Sequence, residues 1–221
     1  MEQRYDTKRA VGTLYAMDAF IQFGEEIAAA FAHFVELPNL LREYIERLNK
    51  RAEGDDAGAM YSLGSNYFHG GKGLTQDYEK GMELYLRAGK LGYATAYCNI
   101  GFAYQEGKGV ERDEAKAKYY WELGAMGGDV PSRHNIGMLE ALGALENSSG
   151  SMSRALKHFM IAAGAGCDES LTGIRECFLN GHATKDDFEK ALRAHKEAAD
   201  EKKSDQRDAA AAFRANQRGG D

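Results

Sequence analysis

Residues 94–128 read ATAYCNIGFAYQEGKGVERDEAKAKYYWELGAMGG, and the chain repeats this stretch on either side with changes confined to certain columns. One unit upstream, residues 57–92 read AGAMYSLGSNYFHGGKGLTQDYEKGMELYLRAGKLG, so Ala59, Leu63, Gly64 and Tyr67 return as Ala96, Ile100, Gly101 and Tyr104. After a one-residue slip at His69-Gly70, Gly71-Lys72-Gly73-Leu74 matches Gly107-Lys108-Gly109-Val110. Asp77 then matches Asp113, and Tyr85 matches Trp121. A third copy opens at Ser132, Ile136 and Gly137 and continues through Arg154-Ala155, Phe159, Ala162-Ala163 and Gly166. A worn fourth opens at Ser170 and Ile174 and continues through Phe178, Gly181, Asp187, Lys190-Ala191 and Ala198-Ala199. The basic residue before a small one falls at 80, 116, 154 and 190. A period of this size marks a stacked-repeat architecture.

Each column has a physical reading. Within a unit, two runs at helical spacing flank a glycine-rich turn, which predicts a helix, a loop and a second helix. Gly71 and Gly107 stand where a left-handed helix stop is needed, and Asp77 and Asp113 where an N-cap oxygen is needed. Leu74 and Val110 are placed to tuck the loop under the pair. Small residues at Gly64, Gly101 and Gly137, and at Ala88-Gly89, Gly124-Ala125 and Ala162-Ala163, predict close helix contacts. Neither helix buries its apolar stripe alone, so neighbouring units must stack.

The order N-I-G-x-x-Y, G-K-G-V, D-x-x-K-A, Y/W, A-A, G resembles the Sel-1-like repeat, a relative of the tetratricopeptide repeat, over residues 57–199. The resemblance implies an all-α, right-handed α/α superhelical solenoid of about four helix pairs. Unit three departs by replacing the G-K-G-V turn with a longer 143–150 segment, and unit four has Arg175 where the packing glycine belongs. On this reading residues 1–55 form an N-terminal helical cap, 56–200 the repeats, and 201–221 a charged C-terminal helix and disordered tail. Relatives act mostly as scaffolds or adaptors in ubiquitin-linked quality control and in signalling, and the resemblance implies such a role. Some relatives of this general kind follow a zinc-binding ring-type finger; no such finger is visible here, so ligase activity does not carry over.

Composition narrows the remaining classes. A net charge of −6 and a pI near 5.6 disfavour a nucleic-acid partner, whose phosphates call for clustered Lys and Arg. Pro38 and Pro131 both fall at expected helix starts. Cys98, Cys167 and Cys177 lie in different units without a C-x-x-C pair, which fits small buried hydrophobes in a reducing compartment, cytoplasm or nucleus. Residues 12–36 form a long amphipathic pattern with Leu14, Met17, Phe20, Ile21, Ile27, Phe31 and Phe34 on one face. Asp18, Gln22, Glu25 and His33 on the other face exclude a membrane span. This stretch either caps the first repeat or pairs with a partner, including a second copy of the chain. Residues 38–50 complete the cap or form a degenerate unit, and residues 188–217 read as one solvated closing helix.

No motif carries chemistry. Gly70-Gly71-Lys72-Gly73-Leu74-Thr75 lacks the GK-[ST] order and the preceding strand of a phosphate loop, and its recurrence at Gly107 marks a helix connection. The six histidines show no H-x-x-x-H or H-E-x-x-H spacing, so no metal site is expected. No Ser or Thr precedes a lysine by three, which removes the S-x-x-K nucleophile of a hydrolase. Glu25-Glu26 and Asp186-Asp187 read as solvated or capping carboxylates. No catalytic residue and no cofactor is expected.

What remains is surface. In the first helix of each unit, columns 60, 61, 65 and 68 vary: Met60, Tyr61, Ser65 and Phe68 stand against Tyr97, Phe102 and Gln105, and against Arg133, Met138 and Ala141. In α/α solenoids that helix lines the concave face, so the columns either form a groove for a peptide or helix of a partner protein or finish the inter-repeat core. The groove reading names Tyr61, Ser65, Tyr97, Phe102, Arg133 and Met138 as contacts of a non-catalytic scaffold or adaptor. The alternatives are a structural subunit of a homo-oligomer or larger assembly and, on weaker grounds, a hydrolase.

Overall fold

Helix boundaries follow from a cap chemistry that recurs with the repeat. The computed structural model describes residues 38–146 and 151–218, with side chains through 206. Among these, every regular element is a helix: α1 (38–53), α2 (Ala57–His69), α3 (Tyr78–Lys90), α4 (Ala94–Glu106), α5 (Glu114–Met126), α6 (Val130–Glu146), α7 (Met152–Gly164), α8 (Asp168–Leu179) and α9 (Lys185–Arg218). The expectations for residues 1–36, including self-association through the 12–36 helix, lie outside the described residues, as does the tail at 219–221.

Asp56, Asp77 and Asp113 each accept a hydrogen bond from the backbone N–H three residues on, at 2.9, 3.0 and 2.9 Å. Ser151 does the same for α7 at 3.4 Å. These oxygens satisfy donors that a helix start otherwise leaves bare. At the other end, α4 stops on Gly107 at φ +67°, as expected, but α2 stops on Gly70 at φ +69° rather than on Gly71. The first loop is one residue longer, so Gly70 takes the left-handed position and the Gly71 N–H donates back to the Asn66 carbonyl at 2.9 Å. The second helices of the first three pairs end on a common turn, with Gly92, Gly128 and Gly166 at φ +94°, +88° and +83°.

Packing runs between sequence neighbours. Ile45, Leu48 and Ala52 of α1 join Met60, Leu63, Phe68, Tyr85 and Ile100 in the first core cluster, with Leu74 and Val110 packed against it as expected. Cys98, Ala117, Trp121, Ala125 and Ile136 form a second, and Ala155, Phe159, Ala163, Ile174, Cys177 and Ala191 a third. This succession of small cores is the signature of an all-α repeat solenoid. The small-residue columns are where helices meet. A Cβ on Gly101 would collide with the Trp121 indole, one on Gly137 would lie 2.7 Å from the Phe159 ring, and one on Gly64 would lie 3.1 Å from the Gly81 carbonyl oxygen.

Two departures from the sequence reading concern α6 and α8. Gly143 does not open a turn: α6 carries on to Glu146, 17 residues against the 13 of α2 and α4. The pattern Met138, Leu142, Leu145 keeps helical spacing through the glycine, so the connection begins later. In α8, Arg175 is exposed, and the last pair closes instead through Ile174, Cys177 and Ala191 and a Phe178–Phe188 ring stack at 5.6 Å.

Candidate protein-interaction site

The variable columns of the first helices divide into two groups. The column of Met60, Tyr97 and Arg133 faces the preceding repeat. Met60 is fully buried, the Tyr97 ring covers Gly89 and stacks on Tyr120 at 6.3 Å, and Arg133 Nη2 donates to the Ala125 carbonyl at 3.0 Å. Phe68 is 6% exposed and also belongs to the core, so Met60 and Phe68 follow the second of the two readings of their columns and finish the inter-repeat core. Tyr61 is half-buried, stacked on Tyr93 at 4.6 Å, and its hydroxyl accepts from Asn99 Nδ2 at 3.4 Å. Ser65 is half-buried.

The column that starts at Ser65 opens outward along the array. Its next members, Phe102 and Met138, are 42% and 41% exposed, and Phe102 rests edge-on against Trp121. From Met138 the open face continues along α6 through Leu142 and Leu145, at 43% and 72% exposure, and Leu179 of α8 is also exposed, at 68%. Between α6, α7 and α8 lies a cavity of about 550 Å³ whose walls include Met138, Leu142, Leu145, Met152, Phe159 and Cys177, with Glu176 and His182 among its polar lining. Of the six residues named from sequence, Phe102 and Met138 thus share an exposed face, Tyr97 and Arg133 sit in an inter-repeat seam, and Tyr61 and Ser65 lie between. Leu142, Leu145, Met152 and Leu179 were missed. Continuing the helical period from Met138 past Gly143 is the signal that finds the first two.

Behind this face the third pair carries a charge cluster. Glu140, 5% exposed, receives Lys118 Nζ of α5 at 2.8 Å and Arg154 Nε and Nη2 of α7 at 2.9 and 2.8 Å. Burial pushes its carboxyl upward, but the hydrogen bonds and charges of Lys118 and Arg154 outweigh that and hold it below the usual glutamate range. Tyr67 and Tyr104 occupy the same column in the first two pairs. There Lys80 Nζ donates to the Tyr67 hydroxyl at 2.8 Å and lies over its ring, and Lys116 lies 5.1 Å from the centre of the Tyr104 ring. A cation thus faces this column three times, meeting an aromatic ring twice and a carboxylate once.

Cys98 and Cys177 are placed for packing. Burial pushes the Cys98 thiol up to about 12 and also raises Cys177, so both stay protonated near neutrality. Ser170 Oγ lies 2.8 Å from His134 Nδ1, but Ser170 is wholly buried and burial lowers the His134 imidazole's affinity for a proton. Among the described residues no group of three or more His, Cys, Asp or Glu is placed to hold a metal, and no helix is long and apolar enough to cross a membrane.

Comparison with known proteins agrees with this geometry. The family model described as Sel1 repeat matches residues 57–93, 94–129 and 171–202, leaving α6 and α7 unmatched. The chain is 30% identical over 98 residues to the ERAD-associated E3 ubiquitin-protein ligase component HRD3B of Arabidopsis thaliana, a match covering 44% of this chain and 15% of that protein. A Sel1 repeat protein from Oxalobacter formigenes superposes with a TM-score of 0.62 at 29% identity, covering 72% of this chain and 64% of that one. A protective antigen of uropathogenic Escherichia coli with an SLR fold gives 0.60 at 28%, covering 71% and 33%. The chain therefore spans 15% of the length of this curated relative and less than two thirds of each solved structure.

Proposed function

We propose, from the premise that this chain is a solenoid of Sel1 repeats, that it serves as a non-catalytic protein-interaction scaffold whose α4, α6 and α8 hold a peptide or helix of a partner protein. The observation that carries this reading is the run of exposed apolar side chains Phe102, Met138, Leu142 and Leu145 on the first helices of successive pairs. Contiguous apolar surface of this kind on a repeat array marks an interaction site. A place in ubiquitin-linked quality control rests on the similarity to HRD3B, whose name assigns it to a ubiquitin-ligase assembly. The free thiols Cys98, Cys167 and Cys177 favour a reducing compartment, cytoplasm or nucleus.

The test is affinity purification with mass spectrometry, comparing the wild-type chain with the double variant Phe102→Ala/Met138→Ala. Both side chains are more than 40% exposed, so thermal melting should stay within about 0.5 kcal/mol of wild type while the specific partners drop out. An unchanged partner set from a folded variant would overturn the reading.

A further inference from the structure

The cavity between α6, α7 and α8 differs from the rest of the first-helix face in having both depth and an apolar mouth. At about 550 Å³ it exceeds what one side chain fills. Leu145 and Leu179, the most exposed large apolar residues of α6 and α8, lie on the helices that bound it. A small molecule seated in the cavity would leave Leu179, which is not part of its lining, in water, whereas a helix laid across the mouth would cover it along with Leu142 and Leu145. Met138 and Met152 supply pliable walls of the kind used to accept varied apolar side chains.

The carboxylate of Glu176 lines this cavity beside His182, and no lysine or arginine is among the lining residues. α2, α4, α6 and α8 contain no lysine, and their arginines are Arg133 and Arg175. Arg133 is engaged with the Ala125 carbonyl, and Arg175 is exposed but is not among the residues that line the cavity. Against these, Glu176 lines the cavity, Glu146 follows Leu142 by four residues on α6, and Glu106 follows Phe102 by four on α4. All three are exposed. Residues four apart share a helix face, so each apolar stretch is flanked by a carboxylate.

We infer that the α6–α8 cavity receives an amphipathic helix of a partner protein, with large apolar residues at i, i+3/i+4 and i+7 and lysine or arginine beside that stripe. The inference rests on the scaffold reading and adds to it the chemistry of the partner. The apolar anchors fill the cavity and cover Leu142 and Leu145, and the basic residues meet Glu146 and Glu176 at the rim, where complementary charge sets orientation and partner choice.

Fluorescence anisotropy with the full chain and three labelled synthetic peptides tests this: an amphipathic leucine–lysine helix, a scrambled peptide of the same composition, and an amphipathic leucine–glutamate helix. The leucine–lysine helix should bind saturably and the other two should not. Binding should weaken roughly tenfold in Leu142→Ser and roughly three- to tenfold in Glu146→Lys/Glu176→Lys, with unchanged circular dichroism. Equal binding of the scrambled or acidic peptide, or no change in either variant, would overturn the inference. So would concentration-dependent self-association that Leu142→Ser abolishes, which would make a second copy the occupant. Should Phe102→Ala/Met138→Ala lose its cellular partners while no peptide binds, the basic-helix inference falls and the scaffold stands.

Discussion

Two neighbouring steps of the array, α4–α5 and α6–α7, keep the same backbone arrangement and lock it with different chemistry. In α4–α5 the Trp121 ring fills the space over Gly101, its Nε1–H donates to the Cys98 carbonyl at 3.2 Å, and Tyr104 stacks on Tyr120 at 5.6 Å. In α6–α7 Phe159 takes the tryptophan's place over Gly137, and a carboxylate bound by two cations replaces the stacked tyrosine. The steric column, small residue against large ring, is the part held in common. The polar column beside it is interchangeable, provided a cation on the second helix finds a partner on the first. The step that changed its lock is also the one with the longer first helix and the cavity at its edge.

Substitutions at the two locks separate these roles. The largest effect is expected from Trp121→Ala, which empties the steric column and removes the indole's bond to the Cys98 carbonyl; denaturant unfolding should show a loss of about 4 kcal/mol, insensitive to pH near neutrality. A loss under about 1 kcal/mol would mean that the ring is not what holds the regular step. Glu140→Gln should cost about 1–2 kcal/mol near neutral pH, less than a fully buried pair because Lys118 and Arg154 are 40% and 54% exposed and return to water. Its pH dependence has a definite sign. The folded-state pKa lies below the ordinary value of 4.5, so the stabilisation is present above that value and is lost as pH falls through the folded pKa. Thermal midpoints of wild type and Glu140→Gln should therefore converge on acidification, and a constant gap would remove the carboxylate from the lock. The smallest effect belongs to the caps. Asp77→Ala in a regular pair and Ser151→Ala in the divergent one should each cost about 1 kcal/mol, and a clear inequality would show that the divergent pair starts its second helix differently.

The same contrast explains what could be read from the amino-acid sequence. Period, cap residues and close-approach glycines were legible because each is a local requirement of one backbone position, as at Asp77, Asp113 and Gly101. The stop at Gly70 was misplaced by one residue because two adjacent glycines are equally permissive and only the length of α2 chooses between them. The columns of Met60 and Phe68 vary between units, and variability alone leaves groove and core both open, because inter-repeat packing accepts several large side chains at one column. Tyr97 and Arg133 entered the seam by the same route. Glu140 escaped notice because its significance lies in partners 22 and 14 residues away on two other helices. Leu142 and Leu145 were hidden by Gly143, which looked like a turn and proved to be a tolerated helical glycine.

The glycines that end α3, α5 and α7 carry a consequence for how such an array evolves. At Gly92 and Gly128 no atom crowds the position where a Cβ would stand, so what calls for glycine there is backbone stereochemistry alone. Three torsions within 11° of one another, φ +94°, +88° and +83°, set the pitch from each step to the next. Because that pitch is inherited from the main chain, the side chains between successive glycines are released to drift, and one step could trade tyrosine for glutamate and lengthen a helix without being expelled from the spiral.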